Sequence, residues 1–135
     1  MSFIESLNKT DFTQLIKTTK TFVFLDFYAD WCGPCVRMSP IIEGYSQDPD
    51  FAGKVLFYKS NVDYEGELAG DFSVSGIPAF FLIETNTSDQ YQVIKSWVGF
   101  QDPDMLKADI LLSINTKDQE IPTPENGGEV VFLKN

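Results

Sequence analysis

The sequence contains no histidine. This absence excludes histidine-ligated metal sites and the Ser-His and Cys-His pairs used in nucleophilic catalysis. Basic residues are also few, because 10 Lys and Arg stand against 20 Asp and Glu and give a formal net charge of −10. Such a charge disfavours non-specific binding to nucleic acids and to anionic membranes, and we expect neither as a partner.

Long hydrophobic runs are missing as well. The longest ones, Phe22–Leu25 and Ala79–Ile83, fall far short of the roughly 20 residues that a membrane-spanning helix needs. The first ten residues contain no basic segment followed by an apolar stretch, so we expect no secretory signal. These features predict a soluble, cytoplasmic protein, and a length of 135 residues is typical of one compact domain.

Only two cysteines are present, Cys32 and Cys35. Two cysteines do not make the disulfide framework of a small secreted domain, and a bridge across so short a loop constrains the unfolded chain little. A tetrahedral metal site needs four ligands, so a zinc half-site would require a second chain, and we expect no metal. The spacing therefore favours reversible redox chemistry over structural stapling.

Hydrophobic periodicity predicts that strands alternate with helices along the chain. Strands are expected at Phe3–Leu7, Thr21–Tyr28, Val55–Val62, Ala79–Glu84 and Tyr91–Val98, and helices at Thr10–Thr18, Gly33–Ser46, Glu65–Phe72 and Asp102–Ile114. The strand–helix–strand order over residues 21–62 implies a right-handed parallel crossover, and the last two strands suit an antiparallel hairpin. Thr10 and Asp102 are the expected N-caps of the first and last helices.

The composition changes after residue 114. Residues 115–135 include the segment Ile121-Pro-Thr-Pro-Glu-Asn-Gly-Gly128 and show no helical period. We therefore expect one domain over residues 1–114 and a mobile C-terminal tail over residues 115–135. The alternative is that the apolar run Val130–Leu133 docks on the domain or on another chain.

The segment that carries chemistry is Trp31-Cys32-Gly33-Pro34-Cys35. Cys32 follows a predicted strand and begins a helix, where unpaired N–H groups and the helix dipole stabilise a thiolate. Cys35 lies one turn later on the same side, so it can attack the mixed disulfide that Cys32 forms. Trp31 and Pro34 are expected to limit water access, and Gly33 to allow a close backbone approach. This chemistry requires that the Cys32 sulfur be accessible at the surface.

Asp26 is the second unusual residue, because it lies within the apolar strand Phe-Val-Phe-Leu-Asp-Phe-Tyr. A carboxylate is costly to bury there unless it is paired or neutralised. A buried acid–base group behind the cysteines is the functional interpretation. An Asp at an exposed strand end, or one that is paired only for stability, is the alternative.

The WCGPC segment resembles the active site of the thioredoxin family. Asp26, Ile77-Pro78 and Val98-Gly99 stand at suitable spacings, and the resemblance covers about residues 3–114. It implies a thioredoxin fold, an α/β architecture with a central mixed β-sheet flanked by helices on both faces. It also implies an enzyme, a thiol–disulfide oxidoreductase that needs no cofactor and forms a reversible disulfide between its two cysteines.

The same resemblance assigns roles to residues near the cysteines. It implies that Asp26 exchanges a proton with Cys35 through water. Lys59, on the next predicted strand, matches a lysine that lies near this carboxylate in the family. An exposed strand lysine is the alternative for Lys59.

Three further positions are expected to bind substrate. The resemblance implies a cis Ile77–Pro78 peptide that brings the Ile77 backbone beside Cys32, where it pairs with an extended substrate strand. Trp31 and Gly99 complete this surface, and Gly99 leaves room for a partner. Without the family, Pro78 indicates only a strand start or a turn, and Gly99 only a strand end.

The leading hypothesis is a general protein-disulfide reductase that acts on disulfide-containing proteins. Gly33-Pro34 favours a reducing member, since Cys-Gly-His-Cys is commoner in oxidising or isomerising relatives. NADPH-dependent thioredoxin reductase is the implied electron donor, and we expect a monomer. An oxidase or isomerase is one alternative. Another is an interaction module without catalysis, suggested by the acidic charge and the 12 phenylalanines, although an aromatic core under a solvated surface explains both.

Overall fold

The chain alternates strands and helices, as the sequence predicts. The structure, a computed structural model, describes residues 4–118 and 133–134. In this part of the chain the elements are β1 (Glu5–Ser6), α1 (Lys9–Thr18), β2 (Phe22–Tyr28), α2 (Gly33–Ser46), β3 (Val55–Asn61), α3 (Gly66–Asp71), β4 (Ala79–Thr85), β5 (Tyr91–Val98), α4 (Pro103–Asp118) and β6 (Leu133–Lys134).

The strands form one mixed sheet in the order β1-β3-β2-β4-β5-β6. Strands β1, β3 and β2 run parallel, whereas β4, β5 and β6 each pair antiparallel with the preceding neighbour in the sheet. Both the parallel crossover and the hairpin are therefore confirmed. Strand β2 lies at the centre and is buried along its length except at Tyr28, which explains its continuous apolar sequence.

Helices cover both faces of the sheet. One apolar cluster packs α2 and α4 against the sheet and contains Met38, Ile42, Leu106 and Ile110, together with several aromatic side chains. The other cluster contains residues of α1 and α3 on the opposite face. Phenylalanine is frequent in both clusters, and Phe100 is the only described phenylalanine among the exposed large apolar residues. The high phenylalanine content is thus explained by the core.

The N-caps of the first and last helices correct one expectation and confirm another. Asn8, not Thr10, caps α1, and its side chain accepts a hydrogen bond from the Asp11 N–H at 2.7 Å. Asn is the stronger N-cap residue, and it stands at the position that reaches a free N–H of the first turn. The cap at Asp102 is confirmed, because its Oδ1 accepts hydrogen bonds from the N–H groups of the second and third residues of α4, each at 3.0 Å.

Helix α4 continues to Asp118, four residues beyond its expected end at Ile114. The sequence contains no proline or glycine between Asn115 and Ile121 that would end the helix earlier. At the other end of this segment, Leu133 and Lys134 pair with Val93 and Gln92 of β5. Leu133 is the only residue of the run Val130–Leu133 within the described part of the chain, so docking of this run stays an alternative. The expected mobility of the tail concerns residues 119–132 and 135, which lie outside the described residues.

Candidate active site

The cysteine pair lies where β2 gives way to α2. Cys32 is the N-cap of α2 and forms a disulfide with Cys35, with their Cα atoms 5.2 Å apart. The Cys32 Sγ accepts a hydrogen bond from the Cys35 N–H at 3.2 Å, so sulfur replaces the side-chain oxygen of an ordinary cap. Pro34 stands in the first turn, where its missing N–H costs no intrahelical bond.

The cysteines are more enclosed than the sequence indicates. Cys32 and Cys35 are each only 5% exposed in the disulfide. They form a small cluster with the buried Ala29, against which Val62 and Ile77 also pack. Neighbouring loops at the ends of other strands therefore cover the sulfurs, and the sequence gives no direct sign of this cover. A target disulfide must therefore reach Cys32 through the 5% of its surface that remains exposed.

Trp31 stands outside this enclosed cluster and is 71% exposed. Its Nε1–H donates a hydrogen bond to Asp63 Oδ2 at 2.9 Å, which orients the indole beside the disulfide. The sequence analysis does not predict a role for Asp63. A signal was available, since Asp63 follows β3 and Trp31 follows β2, and the carboxyl ends of neighbouring parallel strands meet at one edge of a sheet.

Asp26 is a buried carboxyl group on β2. Burial raises its pKa from 3.8 to about 7, because the charged form loses its hydration; Lys59 opposes this change and Glu43 adds to it. Its Oδ1 is buried and receives no hydrogen bond from the described residues. The exposed strand-end alternative for Asp26 is therefore wrong.

Lys59 lies directly beside Asp26 in the sheet, because the two residues are register partners on the parallel strands β3 and β2. Its Nζ is 5.6 Å from the centroid of the Tyr28 ring. Lys59 and Cys35 both line a pocket of about 330 Å³. The side chain is half-buried, so the exposed-lysine alternative is wrong, and the pocket links the lysine to the second cysteine.

The Ile77–Pro78 peptide is cis, as the resemblance implies. Ile77 packs against the cysteine cluster, and the Pro78 carbonyl accepts a hydrogen bond from the Gly99 N–H at 2.7 Å. Gly99 has a φ of +90°, which side-chain-bearing residues rarely adopt. Apart from Gly99 and its two chain neighbours, no atom of the described residues lies within 4 Å of the position that a Cβ would take, so the space next to Gly99 is open.

An apolar groove of about 450 Å³ lies beside Trp31 and is also lined by Val62, Val74 and Ile77. Gly33 borders open space as well, because a Cβ added there would make only an ordinary contact of 3.7 Å with the Arg37 side chain. The structure thus brings together the predicted positions Trp31, Gly33, Cys32 and Ile77 at one edge of the molecule.

The fold and the site define a class of protein. A redox-active cysteine pair at the start of a helix, after a central parallel strand, can exchange its disulfide with that of another molecule. The chain is therefore a thiol–disulfide oxidoreductase. Within residues 4–118 and 133–134, no helix is long and apolar enough to cross a lipid bilayer.

Comparison with known proteins narrows this class. The thioredoxin family model matches residues 3–111. A thioredoxin from Haemophilus influenzae is 35% identical over 99 residues, which is 73% of this chain and 86% of that protein. A thioredoxin from Alicyclobacillus acidocaldarius is 32% identical over 105 residues, or 78% of this chain and 92% of that protein. The crystal structure of a Malassezia sympodialis thioredoxin superposes with a TM-score of 0.69 at 30% identity and covers 82% of this chain and 93% of that one.

The chain belongs to the thioredoxin family, and its fold is the thioredoxin fold. Its activity is thioredoxin-type dithiol–disulfide exchange at Cys32 and Cys35. Membership of this family implies disulfide-containing substrates and, in general terms, a reductase that restores the dithiol.

Proposed function

We propose that the chain is a general protein-disulfide reductase in which Cys32 attacks the target and Cys35 resolves the intermediate. The Cys32 thiolate attacks one sulfur of a target disulfide, forms a mixed disulfide and releases the other target sulfur as a thiolate, which takes up a proton. Cys35 then loses its proton and attacks the Cys32 sulfur. This second step releases the reduced target and leaves the observed Cys32–Cys35 disulfide, so two electrons pass to the target.

The position of Cys32 at the N-cap of α2 is the observation that carries this assignment. Its sulfur already accepts the Cys35 N–H, and this donor is available to a thiolate once the disulfide is reduced. The positive end of a 14-residue helix adds to the stabilisation of the anion. Cys35 lies inside the first turn of α2 and lines the pocket of about 330 Å³ that Lys59 also lines. This location suits the resolving thiol.

Asp26 is proposed as the base that accepts the Cys35 proton. With its pKa raised to about 7, the carboxyl group is able both to take and to give a proton near neutral pH. The pocket of about 330 Å³ beside Cys35 is also lined by Lys59, the register partner of Asp26. It is large enough for water, which supports a water-mediated transfer. Lys59 is proposed to position this carboxylate, because it lies beside Asp26 in the sheet and its charge favours the ionised form.

Substrate binding is proposed at the surface formed by Trp31, Ile77, Pro78 and Gly99. The half-buried Ile77 packs against the cysteine cluster, so its backbone is suited to pair with an extended target strand. The open space at Gly33 and Gly99 supports a close approach of the target backbone. We also propose that Trp31, Gly33 and Pro34 tune the reduction potential of the cysteine pair.

The direction of the reaction is tested by the reduction potential of the Cys32–Cys35 couple. We expect a value of about −270 mV, which is the reference value for thioredoxin. Strong oxidants have a much higher value, about −120 mV. Equilibration with glutathione or dithiothreitol buffers, followed by thiol alkylation and mass determination, measures this potential. A value close to that of the strong oxidants would assign an oxidase or isomerase instead.

Cys35→Ser is expected to stall the reaction at the mixed disulfide, because the first attack remains possible and the second does not. Incubation of the reduced variant with a disulfide-containing protein, quenching in acid and non-reducing electrophoresis should show one stable adduct per molecule of variant. Adding Cys32→Ser to this variant should abolish the adduct. An adduct that persists in the double variant would show that the link does not involve Cys32.

We propose that NADPH-dependent thioredoxin reductase is the electron donor. We also propose that the protein acts as a monomer and that it is located in the cytoplasm. The reductase assignment rests on family membership, and the location on the bacterial thioredoxins among the similar proteins. A mitochondrial thioredoxin of Mus musculus is also similar, at 33% identity. Coupled oxidation of NADPH in the presence of a purified thioredoxin reductase tests the donor.

A further inference from the structure

Arg37 is the single arginine of the chain. It lies on α2 two residues after Cys35, and its guanidinium carbon is 5.6 Å from the centroid of the Phe100 ring. Its Nη1 lies 3.7 Å from the position that a Cβ on Gly33 would take. The guanidinium group therefore lies beside the short segment that joins the two cysteines.

Arg37 is exposed and forms no ion pair with a carboxylate among the described residues. Three lysines behave differently, since Lys9, Lys95 and Lys107 each pair with one or two aspartates. In a chain with a net charge of −10, a cation next to the reactive pair without an acidic partner is unusual. Its contact with Phe100 holds the guanidinium through a cation–π interaction and leaves its N–H donors available.

The surroundings of Arg37 favour an acidic ligand. Phe100 is 48% exposed, so a target that covers its ring also displaces water from the guanidinium group that lies over it. Ion pairs and charge-assisted hydrogen bonds are stronger where water is displaced. The planar guanidinium group matches a carboxylate with two parallel hydrogen bonds, which a lysine does not provide.

We propose that Arg37, held against Phe100, selects disulfide targets that carry a carboxylate close to the reacting cysteine. Arg37 is then a specificity-determining residue that binds the target and takes no part in the transfer of electrons. This inference rests on the proposed reductase function, because it concerns the targets of the same cysteine pair.

The test measures the coupling between Arg37 and a target carboxylate. The substrates are peptides with one internal disulfide. In each peptide a single position carries either Glu or Gln, and the series covers the two positions before and the two positions after each cysteine. The fully reduced enzyme, freed of reductant, is mixed with each peptide at low ionic strength, and acid-quenched samples give the second-order rate constant. The same rates are measured for Arg37→Gln and for Lys54→Gln. The second variant also removes one positive charge, but at the end of the strands opposite to the cysteines.

We expect the Glu-to-Gln rate ratio of the wild type to exceed that of Arg37→Gln by about two- to fivefold at one or more positions, as for an exposed ion pair. Lys54→Gln should leave the ratio as in the wild type, because the change in net charge is the same but distant. High salt should weaken the difference.

A Glu-to-Gln ratio that is equal in wild type and Arg37→Gln at all positions would overturn the inference. If the rates of both peptides also fell equally in Arg37→Gln, Arg37 would act on the Cys32 thiol and not on the target. Failure of the reductase function is recognised separately, since the wild type would then not reduce the Gln peptides at all.

Discussion

Replacing Cys32 with serine is expected to lower the rate of protein-disulfide reduction by roughly a thousandfold or more, because loss of a nucleophile removes the covalent step itself. A serine hydroxyl does not attack a disulfide, and Cys35 lies inside the first turn of α2, where it lines the pocket of about 330 Å³ that Lys59 also lines. Reduction of insulin disulfides by wild type and Cys32→Ser, with dithiothreitol as electron donor, measures the effect against the uncatalysed rate.

Cys35→Ser is the matched control for this experiment, since it makes the same chemical change one helical turn away. It should also lose turnover but retain the first attack, which the release of one target thiol reports. The far-ultraviolet spectra of both variants should match that of reduced wild type. If Cys32→Ser kept activity within tenfold of wild type, the assignment of the nucleophile would be wrong.

Replacing Asp26 with asparagine is expected to stabilise the protein in a pH-dependent way. Below pH 3.8 the carboxyl is protonated in both the folded and the unfolded chain, so its ionisation does not affect stability. Between 3.8 and about 7 the unfolded chain loses this proton and the folded chain keeps it, so stability falls as pH rises. At about 1.4 kcal/mol per pH unit, the loss reaches about 4 kcal/mol above pH 7.

Urea unfolding of the oxidised protein at pH 4, 5.5 and 8 checks this expectation. The free energy of unfolding of Asp26→Asn, relative to wild type, should increase from pH 4 to pH 8 by up to about 4 kcal/mol. Asp89→Asn makes the same change at an exposed loop position and should not show this increase. A stability difference between Asp26→Asn and wild type that is constant with pH would show that burial does not control this carboxyl group.

The same variant should slow turnover more than it weakens target binding, because the base for Cys35 is lost. We expect the second step, release of the reduced target, to be about ten- to a hundredfold slower above pH 7, a range at the low end of general-base effects. Wild type should accelerate through pH 7 as the carboxyl ionises, and Asp26→Asn should lack this acceleration. Equal rates of the two proteins at every pH would contradict the proposed proton transfer.

Local sequence patterns predicted the elements well where one pattern had one interpretation. Helix α2 and strand β5 have the predicted bounds Gly33–Ser46 and Tyr91–Val98, because the apolar pattern and flanking turn residues agree there. The first helix was less well defined, since both Asn8 and Thr10 are good caps and only the geometry selects Asn8. Helix α4 extends beyond the predicted end at Ile114, and the pattern does not indicate this because Asn115 and Thr116 are exposed and add nothing to the apolar stripe that indicates the helix.

The contacts around the active site join residues that are far apart in the sequence, so local patterns do not predict them. Trp31 and Asp63 are joined by a hydrogen bond across 32 residues of sequence, and Arg37 rests on Phe100, 63 positions further along the chain. Such pairs leave no periodic signal, because they depend on where the ends of separate elements meet. The spacing of the cysteines, by contrast, is a local property and was readable directly.

The sequence by itself determined the redox chemistry, because two cysteines one helical turn apart at the start of a helix specify a reversible dithiol. It also determined the order of strands and helices, through the periodicity of apolar residues. Only the tertiary structure decided how enclosed the sulfurs are and that Arg37, which forms no ion pair within the described residues, lies beside the cysteines and against Phe100. These features depend on the packing of elements far apart in the chain, and side-chain burial and charge contacts exist only once that packing has formed.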